Sequence, residues 1–279
     1  MEKLTNWHKM WQELSDIQAR AFARQKKDRD GDFWRHKADK FDKMVEQRWE
    51  KPDSSRKFLM DKLKKDPGST LLDIGAGTGR WSIFASSSAL KVTALEPSPA
   101  MQEILKEKIK KEGITNIEII TGSWPDHDIC THDYVLSSHS IYGVGDFKGF
   151  VDKMSRTALK GCMMILRVPF AGSVMAAAAN RVFGQPHDSP NLQIAFNALM
   201  NMGIYPDVIM EQSDNWPAWS HDSFEDAFAD LKNRLDIVDN FEHDGFLIDL
   251  LNNSLTLKNG KYIWPPGNTS ALVYWEDER

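Results

Sequence analysis

Residues 73–79 combine one acid with three glycines at alternate positions, in the order Asp73-Ile74-Gly75-Ala76-Gly77-Thr78-Gly79. The apolar run before them, residues 70–72, predicts a buried parallel strand, and residues 80–85 predict a helix. Glycines between a strand and a helix let the backbone turn tightly and approach a bound ligand. A dinucleotide-binding loop would have its third glycine at position 80, which is arginine here. The spacing therefore predicts a cofactor loop of another kind.

The D-x-G-x-G-x-G pattern resembles the cofactor loop of the class I S-adenosylmethionine-dependent methyltransferases, and the resemblance covers residues 70–170 well. In that family the next strand ends in an acid that accepts hydrogen bonds from both ribose hydroxyls, and here residues 91–95 end at Glu96. An acid at this place does not by itself separate methyltransferases from nucleotide dehydrogenases. The resemblance implies S-adenosyl-L-methionine as cofactor, with contacts at Asp73, Gly75, Ala76, Gly77 and Glu96.

The resemblance extends to the turns after the second, third and fourth predicted strands. The family often packs an apolar side chain such as Met101 on the adenine, and Pro97 lies between it and Glu96. After the third strand, Ser123 stands where the family commonly has an acid that contacts the adenine amine, which is a departure. The further contacts that the resemblance implies are Pro97, Met101, Ser123, Trp124 and Ser138.

The fourth predicted strand, residues 133–136, is followed by Ser137-Ser138-His139-Ser140-Ile141-Tyr142. Ligands of open α/β sheets bind outside the carboxyl ends of the strands, and the family places the reacting methyl group at this strand end. His139 is either a general base, needed when the nucleophile arrives protonated, or a hydrogen-bonded turn residue. Tyr142 is the second catalytic candidate and would orient the substrate or cap the core. His187, Asp188 and His221 are further polar residues, but their spacing does not predict a metal site.

The fold class expected is α/β, a Rossmann-like, mostly parallel seven-stranded sheet with helices on both faces. Residues 1–66 predict a helical segment that packs on or caps the cofactor site, where Trp34 or Phe41 could line it. Residues 67–279 predict the methyltransferase domain, with a helical substrate lid inserted at about 172–204 between strands five and six. Residues 271–275 predict an antiparallel edge strand that closes the sheet. Asn259-Gly260 predicts a hairpin turn.

The amino-acid composition limits which broad classes of protein the chain can belong to. The 279 residues are 41% hydrophobic and 27% charged, which is ordinary for a soluble globular protein. No apolar run is long enough for a membrane span and the first residues lack the order of a signal peptide, so a cytoplasmic location is expected. The two cysteines are too few for a disulfide framework. Residues 1–66 carry 18 Lys and Arg against 13 Asp and Glu, but the signs are interspersed, which favours a solvated helix face over a nucleic-acid surface.

These observations favour an enzyme that methylates an O, N or other nucleophilic atom of a small molecule by in-line displacement. An RNA or protein methyltransferase guided by the basic amino-terminal helices is an alternative, and so is a non-catalytic regulatory protein that binds S-adenosylmethionine. The expected partner is a small-molecule methyl acceptor. Neither nucleic acid nor a membrane is expected, and a homodimer could form through the amino-terminal helices.

Overall fold

The computed structural model describes residues 5–26, 32–51, 53–211, 218–265 and 269–276. The strands in these ranges are β1 (Thr70–Ile74), β2 (Lys91–Leu95), β3 (Ile117–Ile120), β4 (His132–Ser138), β5 (Ala158–Val168), β6 (Asp207–Met210), β7 (Ser220–His221), β8 (Thr256–Lys258), β9 (Lys261–Ile263) and β10 (Thr269–Trp275). The helices are α1 (Trp7–Lys26), α2 (Ala38–Trp49), α3 (Ser54–Lys65), α4 (Arg80–Ser86), α5 (Pro99–Glu112), α6 (Phe147–Thr157), α7 (Val174–Phe183), α8 (Leu192–Asn201), α9 (Phe224–Arg234) and α10 (Asp244–Ser254).

The main sheet has seven strands in the order β3-β2-β1-β4-β5-β10-β6 within the described ranges. Neighbouring strands from β3 to β5 are parallel, and β10 is antiparallel to both β5 and β6. The predicted Rossmann-like sheet with an antiparallel last strand is thus confirmed. One detail is wrong, because β10 lies inside the sheet and the edge strand is β6. The residues explain the difference, since 271–275 are at most 4% exposed while Val208 and Met210 of β6 are 36% and 47% exposed.

Helices cover both faces of the sheet. Buried side chains of α6 and α8 pack with alternate residues of β4, β5 and β10 on one face. On the opposite face, Leu59 and Leu63 of α3 and Trp81 of α4 pack on the other set of strand residues. This double covering explains why the inner strands have continuous apolar sequences instead of alternating ones.

Helix α1 packs on its own chain. Trp11 and Leu14 are 0% and 2% exposed, and the Trp11 ring centroid lies 4.7 Å from that of Phe147 in α6. The indole nitrogen of Trp11 donates a hydrogen bond of 2.8 Å to the Val144 carbonyl oxygen. Trp11 and Leu14, part of the apolar stripe through which a homodimer could form, are therefore covered within one copy.

The segment between β5 and β6 forms two helices that pack in different places. Residues of α8 such as Ile194 and Ala198 join the core of the main sheet. In contrast, α7 contributes Val174 and Ala178 to a separate cluster with α9 and α10. Beside that cluster, β7, β9 and β8 form a small antiparallel sheet, whose β8–β9 turn is the predicted Asn259-Gly260 hairpin. Among the helices that the structure describes, none has the length and apolar character of a membrane span.

Candidate active site

The glycine loop lies between the carboxyl ends of β1 and β2 and the turn that follows β4. The amides of Gly75 and Ala76 both donate to the Leu95 carbonyl oxygen, at 2.8 and 3.1 Å. Gly75 has a φ of +68°, and a Cβ there would lie 2.4 Å from the Cβ of Ser140, so the close approach of the β4 turn requires glycine. Gly77 also has a positive φ, +57°, but a Cβ there would meet only the Phe41 ring, at 4.0 Å. The loop is thus packed at Gly75 and open at Gly77.

Asp73 anchors the start of the glycine loop to helix α4. Its side chain is 1% exposed, and its Oδ2 accepts a hydrogen bond of 2.6 Å from the Ser82 hydroxyl in α4. Burial raises the pKa of the Asp73 carboxyl to about 6. The carboxylate therefore joins β1 to α4, and the contact with the cofactor expected for this residue remains a prediction.

Glu96 sits at the end of β2 and binds the loop directly. Its Oε2 accepts from the Gly77 amide and its Oε1 from the Ser98 amide, each at 2.8 Å. The side chain is 5% exposed, and burial raises its pKa. A carboxylate has about four acceptor positions, so two remain for a ligand. Two acceptor positions are what the two hydroxyls of a ribose need.

Asp32 is a residue of this site that the sequence did not point to. Its carboxylate accepts one bifurcated hydrogen bond from the Ser98 hydroxyl, whose oxygen lies 2.8 and 3.0 Å from the two carboxylate oxygens, and one hydrogen bond from the Ala100 amide at 3.1 Å. Ser98 in turn caps α5, as its type and position predict. The cap was visible in the sequence, but nothing marked a carboxylate 66 positions away as its partner.

Helix α2 lies over the glycine loop. Asp42 is 9% exposed, and its Oδ1 accepts a hydrogen bond of 2.6 Å from the Thr78 hydroxyl and an ion-paired hydrogen bond from Lys108 of α5. One turn further on, Glu46 pairs with Arg80 at the start of α4. These contacts hold Phe41 of the same helix against the open side of Gly77.

The expected adenine-side residues have different surroundings. Met101 is 2% exposed in the first turn of α5, and Pro97 is exposed. Ser123 is also exposed, whereas the indole of Trp124 is buried and lies 3.3 Å from the Phe150 carbonyl oxygen, to which it donates. The Trp124 side chain thus packs into the core, which leaves its backbone for the predicted contact.

Gln102, another residue without a sequence signal, ties the ends of β2 and β3 together. Its amide nitrogen donates to the Glu96 carbonyl oxygen at 2.6 Å and contacts the Thr121 hydroxyl at 2.9 Å. The turn that carries the predicted adenine contacts is therefore fixed relative to Glu96.

His139 and Tyr142 lie together at the end of β4, next to the half-buried Ser138. The Nδ1 of His139 is 2.8 Å from the Tyr142 hydroxyl oxygen, and its Nε2 is 3.3 Å from the Ser270 hydroxyl oxygen. The Tyr142 oxygen also accepts from the Arg167 amide at 2.7 Å. Both ring nitrogens of His139 are engaged, so either can act as a base only after one of these hydrogen bonds breaks.

The electrostatic surroundings keep His139 neutral. Burial, together with the positive charges of Arg48 and Arg167, holds its pKa well below 6.5. Burial also raises the pKa of Tyr142. Neither arginine was a sequence candidate, because Arg48 lies in α2, where the apolar residues stood out, and Arg167 follows the apolar run of β5.

Two of the other polar candidates, His187 and His221, have structural partners. The buried His187 lies 3.2 Å from the amide of Asn191, which caps α8. His221 accepts from the Trp264 indole at 3.0 Å and lies 3.5 Å from Asp230. These contacts join loops to neighbouring helices.

Comparison with known proteins identifies the domain. Residues 71–161 match a family described as a methyltransferase domain. The YcgJ protein of Bacillus subtilis has a similar fold, with a TM-score of 0.54 at 11% identity over 81% of this chain and 99% of that one.

Two relatives match parts of the chain. A protein named probable ribosomal RNA small subunit methyltransferase A, from Methanosphaera stadtmanae, is 35% identical over 31% of this chain and 32% of its own length. A demethylmenaquinone methyltransferase from Bacillus cytotoxicus is 30% identical over 39% of this chain and 48% of its own length. The chain thus spans about a third and about half of the lengths of these relatives.

The sheet order and the family match agree, since residues 71–161 match a methyltransferase domain within a Rossmann-like fold. The glycine loop and Glu96 at the end of β2 lie where the resemblance implies contacts with S-adenosyl-L-methionine.

Proposed function

We propose that this protein transfers the methyl group of S-adenosylmethionine to a nucleophilic atom of a small molecule. The observation that carries the proposal is the buried Glu96 carboxylate, which holds the open Gly77 and keeps two acceptor positions for a ribose. Bound there, the cofactor supplies an electrophilic methyl group on a sulfonium. The Gly75–Gly77 backbone, Glu96 and Met101 would hold it, and the turn at Ser138 would lie beside the methyl group.

The task of the protein in such a displacement is alignment and exclusion of water. Correct positioning supplies roughly 7 to 11 kcal/mol of the barrier in favourable cases. Helix α2 contributes by covering the loop through the Asp42–Thr78 hydrogen bond. His139 and Tyr142 would orient the acceptor, and the helices between 172 and 204 are the segment we expect to shape its pocket.

A small acceptor is favoured over RNA by the environment of the basic amino-terminal residues. Arg20 and Arg24 of α1 both pair with Asp236, and Lys62 of α3 pairs with Glu276. These three cations are paired with acids of their own chain, which leaves less positive charge for a phosphate backbone. The relative named demethylmenaquinone methyltransferase supports a small acceptor as well.

The test is incubation with S-adenosylmethionine carrying a deuterated methyl group and an ultrafiltered cell extract free of macromolecules. Mass spectrometry should detect labelled small molecules and S-adenosylhomocysteine. The Glu96→Gln variant should lose the products, whereas Glu118→Gln, which changes an exposed acid of β3, should retain them. Label found only in RNA or protein of the unfiltered extract would refute the small acceptor. Cofactor binding without label in any fraction would indicate a regulatory protein.

A further inference from the structure

Two arginines from different elements converge on the polar cluster at the end of β4. The guanidinium carbon of Arg167 lies 4.3 Å from the ring centroid of Tyr142. Arg48 of α2 donates to the Ser270 hydroxyl oxygen at 3.4 Å, and the same oxygen lies 3.3 Å from the Nε2 of His139. Arg167 and Arg48, both permanently charged, therefore contact uncharged side chains of the same cluster at this strand end.

The cluster adjoins the cofactor loop. Ser140, next to His139, donates from its hydroxyl to the Ile74 carbonyl oxygen at 2.8 Å. It also takes the space that a Cβ at Gly75 would need. A ligand that contacts the cluster would therefore lie beside the part of the site where the methyl acceptor binds.

Two acids lie near the Arg48 guanidinium, Asp53 and Glu211. Arg48 is 7% exposed, and the carboxylate of Asp53 is 4.0 Å away, at the limit of an ion pair. Burial and the neighbouring Glu211 raise the pKa of Asp53. The Glu211 carboxylate accepts from the amides of Ser54 and Ser55 at the start of α3, each at 2.9 Å, so α3 already stabilises its charge.

The positive charge of Arg167 is not paired with an acid of the described residues. Within the described residues no carboxylate oxygen lies within 4.0 Å of its nitrogens, and its buried Nε has no hydrogen-bond partner there. The Arg167 side chain is half-buried, so its guanidinium packs on Tyr142 and still borders the solvent from which an anion would come. The planar guanidinium matches pairs of oxygens in a carboxylate or a phosphate.

We propose that the methyl acceptor carries an oxyanionic group, a carboxylate or a phosphate, which Arg167 and Arg48 bind beside His139. The proposal rests on the proposed methyl transfer. Binding of the acidic group fixes one end of the acceptor, and the nucleophilic atom then faces the methyl donor. Of two molecules alike in shape, the enzyme selects the one that bears the acid.

The experiment fractionates the ultrafiltered extract on an anion-exchange resin before incubation with labelled S-adenosylmethionine. Labelled product should arise from the retained fraction and not from the flow-through. Phosphatase treatment of the retained fraction then separates the two sources, because it abolishes the activity of a phosphate monoester and spares that of a carboxylate. Product from the flow-through alone would overturn the acidic acceptor and leave the methyltransferase proposal standing. Product from neither fraction would overturn both.

Variants link the acid to the arginines. With the retained fraction as substrate, Arg167→Met should raise the apparent KM about ten- to hundredfold, the range expected for a lost hydrogen-bonded charge contact. Arg167→Lys, which keeps the charge, should recover part of the affinity. Arg156→Met, which changes an exposed arginine of α6, is the control. An unchanged Kd for S-adenosylhomocysteine and an unchanged Tm verify the fold of each variant, and a normal KM in folded Arg167→Met would contradict the proposal.

Discussion

The amide of Gly77 donates a 2.8 Å hydrogen bond to the Oε2 of Glu96, so the glycine loop and the acid at the end of β2 form one structural unit. The two residues are 19 positions apart in the sequence. Because the Ser98 amide holds the other carboxylate oxygen, the carboxylate is fixed before any ligand arrives. This preorganisation reduces the conformational entropy lost when the cofactor binds.

Replacing Glu96 by glutamine tests the ribose contact. The amide keeps the size of the side chain but lacks the charge and one of the acceptor oxygens. Loss of charged hydrogen bonds should weaken binding of S-adenosylhomocysteine about ten- to hundredfold, measured by isothermal titration calorimetry. Glu118→Gln serves as the matched control, and equal affinities in the two variants would exclude the ribose contact.

Gly77→Ala separates the loop's conformation from its role in binding. Gly77 and Gly113 have similar φ values, +57° and +66°, and at neither position would an added Cβ come closer than 4.0 Å to another protein atom. Alanine at either position should cost about 1 to 2 kcal/mol of unfolding free energy through backbone strain. Only Gly77→Ala should lose affinity for S-adenosylhomocysteine, because its methyl group would enter the cofactor's space.

Urea unfolding measures the stability of both glycine variants, and titration calorimetry measures their affinity for S-adenosylhomocysteine. The expected result is two similar losses of stability and one loss of binding. If Gly77→Ala binds S-adenosylhomocysteine as tightly as Gly113→Ala, the open face of the loop is not the cofactor surface.

Asp73→Asn should change how stability depends on pH. The carboxyl pKa rises from 3.8 to about 6 in the folded protein, so the folded state holds this proton more tightly than the unfolded chain. The resulting stability is fully present below 3.8 and is lost as the pH rises through 6. The shift corresponds to about 3 kcal/mol over the whole window.

Urea titrations from mildly acidic to neutral pH measure this effect. Relative to Asp73→Asn, the unfolding free energy of the wild-type protein should decrease with rising pH. Parallel profiles for the two proteins would show that Asp73 ionises normally despite its burial.

His139→Asn should reveal the opposite dependence. The pKa of His139 is well below 6.5 in the folded protein, so below 6.5 the unfolded chain binds the proton and the folded protein does not. The wild-type protein should therefore lose stability relative to the variant as the pH falls below 6.5, by up to about 1.4 kcal/mol per pH unit. Asparagine tolerates the positive φ of this position, which makes it a suitable replacement.

The measurement is the difference in unfolding free energy between the two proteins near neutral pH and at mildly acidic pH. A histidine with an ordinary pKa would give a constant difference. That outcome would also remove the proposed effect of Arg48 and Arg167 on the ring.

The sequence predicted the parts of the site that local spacing determines. The glycine loop follows its strand directly, and Glu96 follows the next strand, so both could be located by position alone. The Asn259-Gly260 hairpin was predictable for the same reason, because φ is positive at both turn residues.

Contacts between distant segments could not be predicted in this way. Asp42 and Arg48 lie on α2, where the apolar residues stood out, and their importance comes from Thr78 and Ser270 far along the chain. The position of β10 was missed for a related reason. A run of apolar residues indicates burial, but it does not say which two strands will flank it.

The interior position of β10 also determines when the sheet can be completed during synthesis of the chain. Strands β5 and β6 do not pair with each other, and each pairs with β10, which joins Trp275 to Cys162 and Ala271 to Met210. A ribosome must therefore synthesise residues 269–275 before β6 has any strand partner. Until then the nascent chain exposes an open edge at β5, and such an edge is a site for chaperone binding or aggregation.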